Sequence, residues 1–114
     1  MNFGRLAGRL GQMTLLFVLT ILFIFSVPSF GGLKCYSVVS GSMAPSLPVG
    51  SAVYIKSKSP EKVQEGEIIT YCTEQGKTVI THRVVESNRE KQQFITKGDA
   101  NNSCDPKPVS WKNL

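Results

Sequence analysis

The stretch that decides the fold is residues 78–86, Thr-Val-Ile-Thr-His-Arg-Val-Val-Glu. It is rich in β-branched side chains, which favour extended backbone. Alternation along a strand divides it into two faces. One face carries Thr78, Ile80, His82 and Val84, and the other carries Val79, Thr81, Arg83 and Val85. We therefore predict a long strand that places His82, the only histidine of the chain, on one face with Ile80 and Val84.

Shorter segments with strand patterns surround this stretch, at residues 36–40, 51–58, 67–73 and 93–97. Polar turns separate most of them, at residues 46–50, 59–66, 74–77 and 87–92, and the first three of these contain Gly or Pro. The tail, residues 100–114, shows no regular pattern. Because no segment after residue 35 has a helical period, we predict a mainly β fold, with a small antiparallel β domain over residues 35–114. A domain of this size buries only a marginal core.

The segment before this domain is apolar. Residues 13–30 contain no charged side chain, and about 17–25 apolar residues suffice to cross a bilayer. We predict a transmembrane signal-anchor helix there, preceded by a basic tail over residues 1–12. The alternative is a cleaved signal peptide, but the run exceeds the typical apolar core of about 7–15 residues and lacks a convincing cleavage site. By the positive-inside rule, Arg5 and Arg9 predict that the tail lies in the cytoplasm and that the chain after Lys34 lies on the other side of the membrane.

Charge and cysteine content exclude several classes of function. The formal net charge is +5. From Cys35 onward the chain has ten Lys and Arg and eight Asp and Glu, so the net charge of that part is 10 − 8 = +2. This excess is too small to indicate a nucleic-acid partner, and no basic stripe with aromatic residues is present. Cys35, Cys72 and Cys104 lack metal-site spacing and cannot all pair. We predict no disulfide framework, no metal and no cofactor.

A candidate nucleophile lies in residues 40–45, Ser-Gly-Ser-Met-Ala-Pro. Gly41 permits a tight turn, and Pro45 fixes the direction in which the chain leaves it. Ser42 would then lie on a stiff bend near backbone N–H groups, as a serine nucleophile requires. The same residue types also form ordinary turns, so the motif is specific only if its partners are found.

The partners of a serine nucleophile would be a base and a carboxylate. An isolated strand histidine is commonly a partly exposed residue without chemistry, but His82 is the only imidazole available. The lysines that could replace it lie in strand ends or turns, where solvent keeps them charged: Lys56, Lys58, Lys77 and Lys97. Asp99 and Asp105 follow His82 and either could orient the imidazole. The residues alone do not choose between these two.

Several motifs follow one another along the chain: residues 40–45, Gly50, 81–85 (Thr-His-Arg-Val-Val) and 96–102 (Thr-Lys-Gly-Asp-Ala-Asn-Asn), with Asp105 beyond. In this order they resemble the type I signal peptidases of the endoplasmic-reticulum subtype, which includes archaeal enzymes and the SipW-like enzymes of spore-forming bacteria. His82 indicates the subtype, since the main bacterial subtype has a catalytic lysine in the corresponding strand. The resemblance covers nearly the whole chain.

The resemblance implies a role for each candidate residue. Ser42 is the expected nucleophile and His82 the expected general base. Asp105 is the expected orienting carboxylate, and Asp99 is a supporting residue and the second choice for that role. Ser40 resembles the oxyanion-hole serine, which acts with the backbone N–H of Ser42.

The implied function is a membrane-anchored serine endopeptidase that removes signal peptides from exported preproteins through an acyl-enzyme. Expected partners are the signal peptide, bound extended along a sheet edge, the lipid bilayer and the secretion translocon. The expected location is the cell membrane, spanned once with the β domain outside, or the endoplasmic-reticulum membrane in a eukaryote. Chains of this family continue with another strand and often a second transmembrane helix, so we expect the domain to be truncated.

Two other functions compete with this interpretation. One is a catalytically silent, membrane-anchored β module or inactive fragment of the same family. The other is a self-cleaving repressor-type peptidase of related fold, which uses a lysine base and carries a DNA-binding part. The apolar residues 13–30 and His82 both count against the second of these.

Overall fold

The structure, a computed structural model, describes residues 3–73 and 75–114. The chain divides into two compact units, residues 1–34 and 35–114. Glu74, the first residue of a predicted turn, lies outside the described residues. The remainder of that turn is present, and the N–H of Gly76 donates to the carbonyl of Thr73 at 2.7 Å.

The first unit is one helix, α1, Phe3–Phe30. It begins well before the predicted apolar run, because the leucines, arginines, alanine and glutamine of residues 3–12 are good helix formers. All side chains of residues 3–27 are exposed, so apolar groups surround the helix instead of forming one stripe. By length and composition, Phe3–Val27 is able to cross a membrane.

Three polar side chains inside the apolar run have hydrogen-bond partners within the helix itself. The hydroxyls of Thr14, Thr20 and Ser26 donate to backbone carbonyls one turn earlier, at 2.9, 2.8 and 2.7 Å. A hydroxyl that already has a partner carries a smaller cost when it leaves water. These residues therefore do not prevent the helix from entering an apolar phase.

The rest of the described chain contains six strands in two sheets, connected by loops and short 3-10 helices. The smaller sheet pairs β1, Lys34–Ser37, with β2, Ala52–Ile55. The larger sheet is antiparallel, in the order β3-β4-β5-β6. Its strands are β3, Ile68–Cys72, β4, Val79–Asn88, β5, Gln93–Lys97, and β6, Val109–Ser110. The predicted class, mainly β with an apolar N-terminal helix, is confirmed.

The larger sheet buries one face. Ile69 pairs with His82, and Val84 pairs with Thr96, so inward residues of β3, β4 and β5 adjoin one another. Its apolar core consists of Val63, Ile69, Tyr71, Val84, Phe94 and Val109, with Ile80 and Trp111 packed at its margin. The ring of Phe94 is fully buried and stacks on Trp111 with centroids 5.9 Å apart. Truncating such a ring to alanine typically costs about 3–5 kcal/mol.

Several element boundaries differ from the sequence-based prediction. Strand β1 ends at Ser37 instead of continuing to Ser40, and β2 is shorter than 51–58. Strand β4 continues to Asn88, so the predicted turn over 87–92 was wrong at its start. The tail was predicted to be irregular, but it contains β6 and a 3-10 helix, Trp111–Asn113. Strand β6 forms because it pairs with β5, with Phe94 opposite Val109. The local sequence has no pattern that predicts this pairing.

Candidate active site

Ser42 lies in a three-residue 3-10 helix, Gly41–Met43. Met43 is almost fully buried and fixes this turn to the domain, while Ser42 is half-buried. The hydroxyl oxygen of Ser40 lies 3.3 Å from that of Ser42. Gly41 begins this turn, as expected for a residue that permits tight turns, although its φ is not positive and an added Cβ would meet nothing within 4 Å.

Three side chains from distant parts of the chain meet at this turn. Nε2 of His82 lies 3.1 Å from Oγ of Ser42, and Nδ1 of His82 lies 2.6 Å from Oδ2 of Asp105. His82 is 8% exposed, which is more buried than expected for an isolated strand histidine. A carboxylate at Nδ1 selects the neutral tautomer with the proton on Nδ1. The lone pair of Nε2 then faces the hydroxyl of Ser42.

Asp105 reaches His82 from the loop between β5 and β6, and β5 holds it there. The N–H of Asp105 donates to the carbonyl of Thr96 at 2.8 Å, and the hydroxyl of Thr96 donates to Oδ2 of Asp105 at 2.6 Å. The hydroxyl of Tyr71 lies 3.4 Å from that same carboxylate oxygen. Sequence reasoning gave no role to Thr96 or Tyr71, since both are ordinary strand residues.

Asp99 has a different set of partners. Its carboxylate accepts hydrogen bonds from Nε and Nη2 of Arg83 at 2.8 and 2.6 Å, and from the hydroxyl of Ser46 at 2.7 Å. The Arg83 guanidinium, followed by Ser46, lowers the pKa of Asp99 from 3.8 to about 2. Arg83 also donates to the carbonyl of Gly66 at 2.7 Å. Asp99 thus links Ser46, in the segment after Ser42, to Arg83, the residue that follows His82 on β4.

Gly98 packs directly against the serine turn. A Cβ at this position would lie 2.6 Å from the carbonyl oxygen of Ser42 and 2.7 Å from Nδ2 of Asn101. The N–H of Ala100 donates to the same carbonyl of Ser42 at 2.9 Å. The absence of a side chain at Gly98 is what permits this close approach.

Among the lysines considered as alternative bases, Lys97 is half-buried on β5 opposite Arg83, and its charge adds to that of Arg83 in lowering the pKa of Asp99. The other three, Lys56, Lys58 and Lys77, are exposed. Nζ of Lys58 donates to both carboxylate oxygens of Glu67, at 2.6 and 2.8 Å. That hydrogen bond, with one from the Gln64 N–H, lowers the pKa of Glu67.

The cysteines and carboxylates form no metal centre in the part of the chain that the structure describes. Within residues 3–73 and 75–114, no group of three or more His, Cys, Asp or Glu side chains is placed to hold an ion. Cys35, Cys72 and Cys104 are free and exposed.

Comparison with known proteins shows which curated proteins the sequence resembles. The chain is 37% identical over 109 residues to Signal peptidase I W of Bacillus subtilis (strain 168), a match that covers 89% of this chain and 57% of the relative. The chain is thus similar to a type I signal peptidase over most of its own length. No family model and no solved structure matches the chain.

Eukaryotic signal peptidases are also similar to the chain. It is 44% identical over 71 residues to the signal peptidase complex catalytic subunit SEC11 of Lodderomyces elongisporus, covering 60% of this chain and 41% of that protein. The corresponding subunit of Ajellomyces capsulatus (strain H143) is 39% identical over 83 residues, covering 60% and 43%. The chain thus spans about half the length of the signal peptidases it matches.

Proposed function

We propose that this chain is a membrane-anchored serine endopeptidase that removes signal peptides from exported preproteins. The observation that carries the proposal is the continuous series of contacts from Ser42 through His82 to Asp105, with distances of 3.1 and 2.6 Å. A hydroxyl, an imidazole and a carboxylate in this order form the arrangement by which serine hydrolases activate a nucleophile. The similarity to signal peptidases supplies the substrate class.

The chemistry follows from these contacts. Nε2 of His82 accepts the hydroxyl proton of Ser42 as Oγ bonds to the carbonyl carbon of the scissile peptide. Asp105 stabilises the resulting imidazolium through the Nδ1 proton. The imidazolium then gives its proton to the departing amine, and the C–N bond breaks to leave an acyl-enzyme. Water, deprotonated by His82, attacks the carbonyl carbon of the ester. The bond from that carbon to Oγ then breaks, the peptide leaves with a new carboxyl end, and the proton returned by His82 regenerates the hydroxyl of Ser42.

The negative charge of the tetrahedral intermediate needs donors beside Ser42. The hydroxyl of Ser40 lies within 3.3 Å of the nucleophilic oxygen. The backbone N–H of Ser42 is in the first turn of a 3-10 helix, where N–H groups lack intrahelical partners. Together they form the proposed oxyanion hole. Asp99 is proposed as a supporting residue, because its bonds to Arg83 and Ser46 connect the serine turn to the strand of His82.

The membrane is the second element of the proposal. Helix α1 has apolar side chains on all sides, and Arg5 and Arg9 stand near its N-terminal end. The positive-inside rule favours an anchor with that end in the cytoplasm and residues 35–114 on the outer side, or in the lumen of the endoplasmic reticulum. A signal peptide leaving the translocon, bound extended along a sheet edge, is the proposed substrate.

The experiment that tests the function is cleavage of a purified test preprotein by the 114-residue chain in detergent. Ser42→Ala is the inactive comparison, since it removes the nucleophilic oxygen and little volume. Ser87→Ala is the matched control, because Ser87 lies near the far end of β4 from the cluster. Cleavage by the wild type and Ser87→Ala, but not by Ser42→Ala, is the expected result. Equal cleavage by all three would overturn the assignment of Ser42, and cleavage by none would favour a silent anchored module.

A further inference from the structure

The orienting carboxylate presents a structural problem that the catalytic residues do not solve. Asp105 lies in an irregular loop, between Cys104 and Pro106, and no strand pairing fixes it. A carboxylate on such a loop is able to rotate about its own side-chain bonds. His82 contacts one oxygen, Oδ2, and a single contact does not fix the plane of the group. Another group must therefore hold the carboxylate of Asp105 beside Nδ1 of His82.

Thr96 supplies two attachments to the same residue. Its backbone carbonyl accepts the N–H of Asp105 at 2.8 Å, and its hydroxyl donates to Oδ2 of Asp105 at 2.6 Å. The first bond ties the loop backbone to β5. The second reaches the oxygen that also accepts the Nδ1–H of His82, so the carboxylate is fixed from two directions.

The position of Thr96 makes it a firm support. It is fully buried, lies on the inward face of β5 and stands opposite Val84, two residues beyond His82 on β4. β-branched side chains have few accessible χ1 rotamers, and the surrounding core restricts them further. A buried hydroxyl needs a partner, and here that partner is the carboxylate of Asp105.

Tyr71 adds a second hydroxyl from the neighbouring strand. Its oxygen lies 3.4 Å from both Oγ1 of Thr96 and Oδ2 of Asp105. Burial raises the pKa of Tyr71, so the phenol stays protonated and remains a donor. Tyr71 on β3, His82 on β4 and Thr96 on β5 thus converge on Asp105 from three adjacent strands.

We propose that Thr96, supported by Tyr71, is a positioning residue that holds the carboxylate of Asp105 against Nδ1 of His82. The inference rests on the proposed peptidase function. Thr96 touches neither the substrate nor Ser42; it acts through Asp105 on the imidazole. A purely structural role, satisfying a buried hydroxyl, would instead affect folding and leave the imidazole of the folded protein unchanged.

Thr96→Val is the decisive variant, since it keeps the branched shape and the backbone carbonyl but removes the hydroxyl. We expect kcat for preprotein cleavage to fall about 10- to 100-fold with KM unchanged, the range for losing a hydrogen bond to a charged group. Thr96→Ser restores the donor and should recover most of the rate. Tyr71→Phe should cause a smaller loss, because its distances are longer.

Thr70→Val is the matched control. The hydroxyl of Thr70 is bonded to that of Thr81 at 2.9 Å, on the strand face that points away from Asp105. The same substitution there also removes a partly buried hydroxyl bond. An equal fall in kcat in Thr70→Val and Thr96→Val would overturn the inference.

A second measurement separates this inference from the proposed function. His82 is the only histidine, so the full-length chain labelled with ¹⁵N-histidine in detergent gives a single set of imidazole signals. We expect a slowly exchanging Nδ1 proton in the wild type, Thr96→Ser and Thr70→Val, and faster exchange in Thr96→Val. Unchanged exchange in folded Thr96→Val would overturn the inference even if the chain cleaves preprotein. Failure of the wild type to cleave, with the expected exchange pattern, would reject the proposed function and leave the positioning of Asp105 supported.

Discussion

At the scale of single residues, two aspartates close in sequence have separate sets of partners. Asp105 contacts His82 at 2.6 Å, and Asp99 contacts Arg83 and Ser46 instead. The sequence alone left both as candidates, because each follows a strand within a loop whose path depends on tertiary packing. The resemblance to signal peptidases pointed to Asp105, and the structure brings that residue to the imidazole.

The difference between these aspartates predicts unequal losses of activity. Asp105→Ala should lower kcat about 10³- to 10⁴-fold, as loss of the orienting carboxylate leaves the imidazole free to take the wrong tautomer. Asp99→Ala should cost much less, because it acts on the placement of the turn and not on His82. Both rates are measured on the same preprotein, beside thermal unfolding to detect misfolding. A larger loss in Asp99→Ala would exchange the two roles.

The ion pair of Asp99 also predicts a pH dependence of stability. Arg83 and Ser46 hold the pKa of Asp99 at about 2, below its ordinary value of 3.8. Because the pKa of Asp99 is lower in the folded state, the ionised carboxylate stabilises the fold fully above pH 3.8. This contribution disappears as the pH falls through about 2. The difference in unfolding temperature between the wild type and Asp99→Asn should therefore be constant near neutrality and shrink on acidification below 3.8. A difference that is independent of pH down to pH about 2 would contradict the pairing.

At the scale of structural elements, the site depends on how two loops pack. The turn of Ser42 and the segment after β5 touch at Gly98, where a Cβ would lie 2.6 Å from the carbonyl of Ser42. Gly98→Ala should push the two segments apart and lengthen the contact between Ser42 and His82. We expect a fall in kcat of about 10-fold or more, since small displacements of reacting groups are costly.

The measurement for Gly98→Ala is steady-state cleavage together with thermal unfolding. Because the added methyl group meets backbone, relaxation is harder than it would be against a flexible side chain. Gly98→Ser, which is larger, should be at least as damaging. Wild-type kcat in either folded variant would mean that the two loops do not need this close contact.

The elements also show which parts of the fold can be predicted from sequence. Alternation along residues 78–86 correctly put His82 and Val84 on one face, since strand period is a local property, but did not predict that this face is buried. Strand β6 was missed because its two residues gain their order from β5 and carry no pattern of their own. Thr96 was missed for a related reason: a threonine in a strand is common, and only the folded chain reveals which acceptor its hydroxyl meets.

At the scale of the whole molecule, the two units are suited to different environments. Residues 35–114 bury a small apolar core behind one sheet face. Helix α1 buries nothing over residues 3–27, although its side chains are largely apolar. An apolar helix of this length is costly to keep in water, so hydrophobicity alone favours a bilayer around it. The hydroxyls of Thr14, Thr20 and Ser26, already bonded to helix carbonyls, are compatible with that environment.

This arrangement predicts that α1 is an uncleaved anchor. After expression in a bacterium, the chain should remain in the membrane pellet on carbonate extraction and show its full mass of 12.5 kDa. Leu19→Arg places a charge at the centre of the apolar run, where insertion is disfavoured by about 2.5–3.5 kcal/mol, and should release much of the protein. Leu6→Arg, beside Arg5 at the basic end, is the matched control and should stay in the pellet. A shortened mass in the wild type would identify residues 13–30 as a cleaved signal peptide, and extraction of the full-length wild type would show that α1 does not span the bilayer.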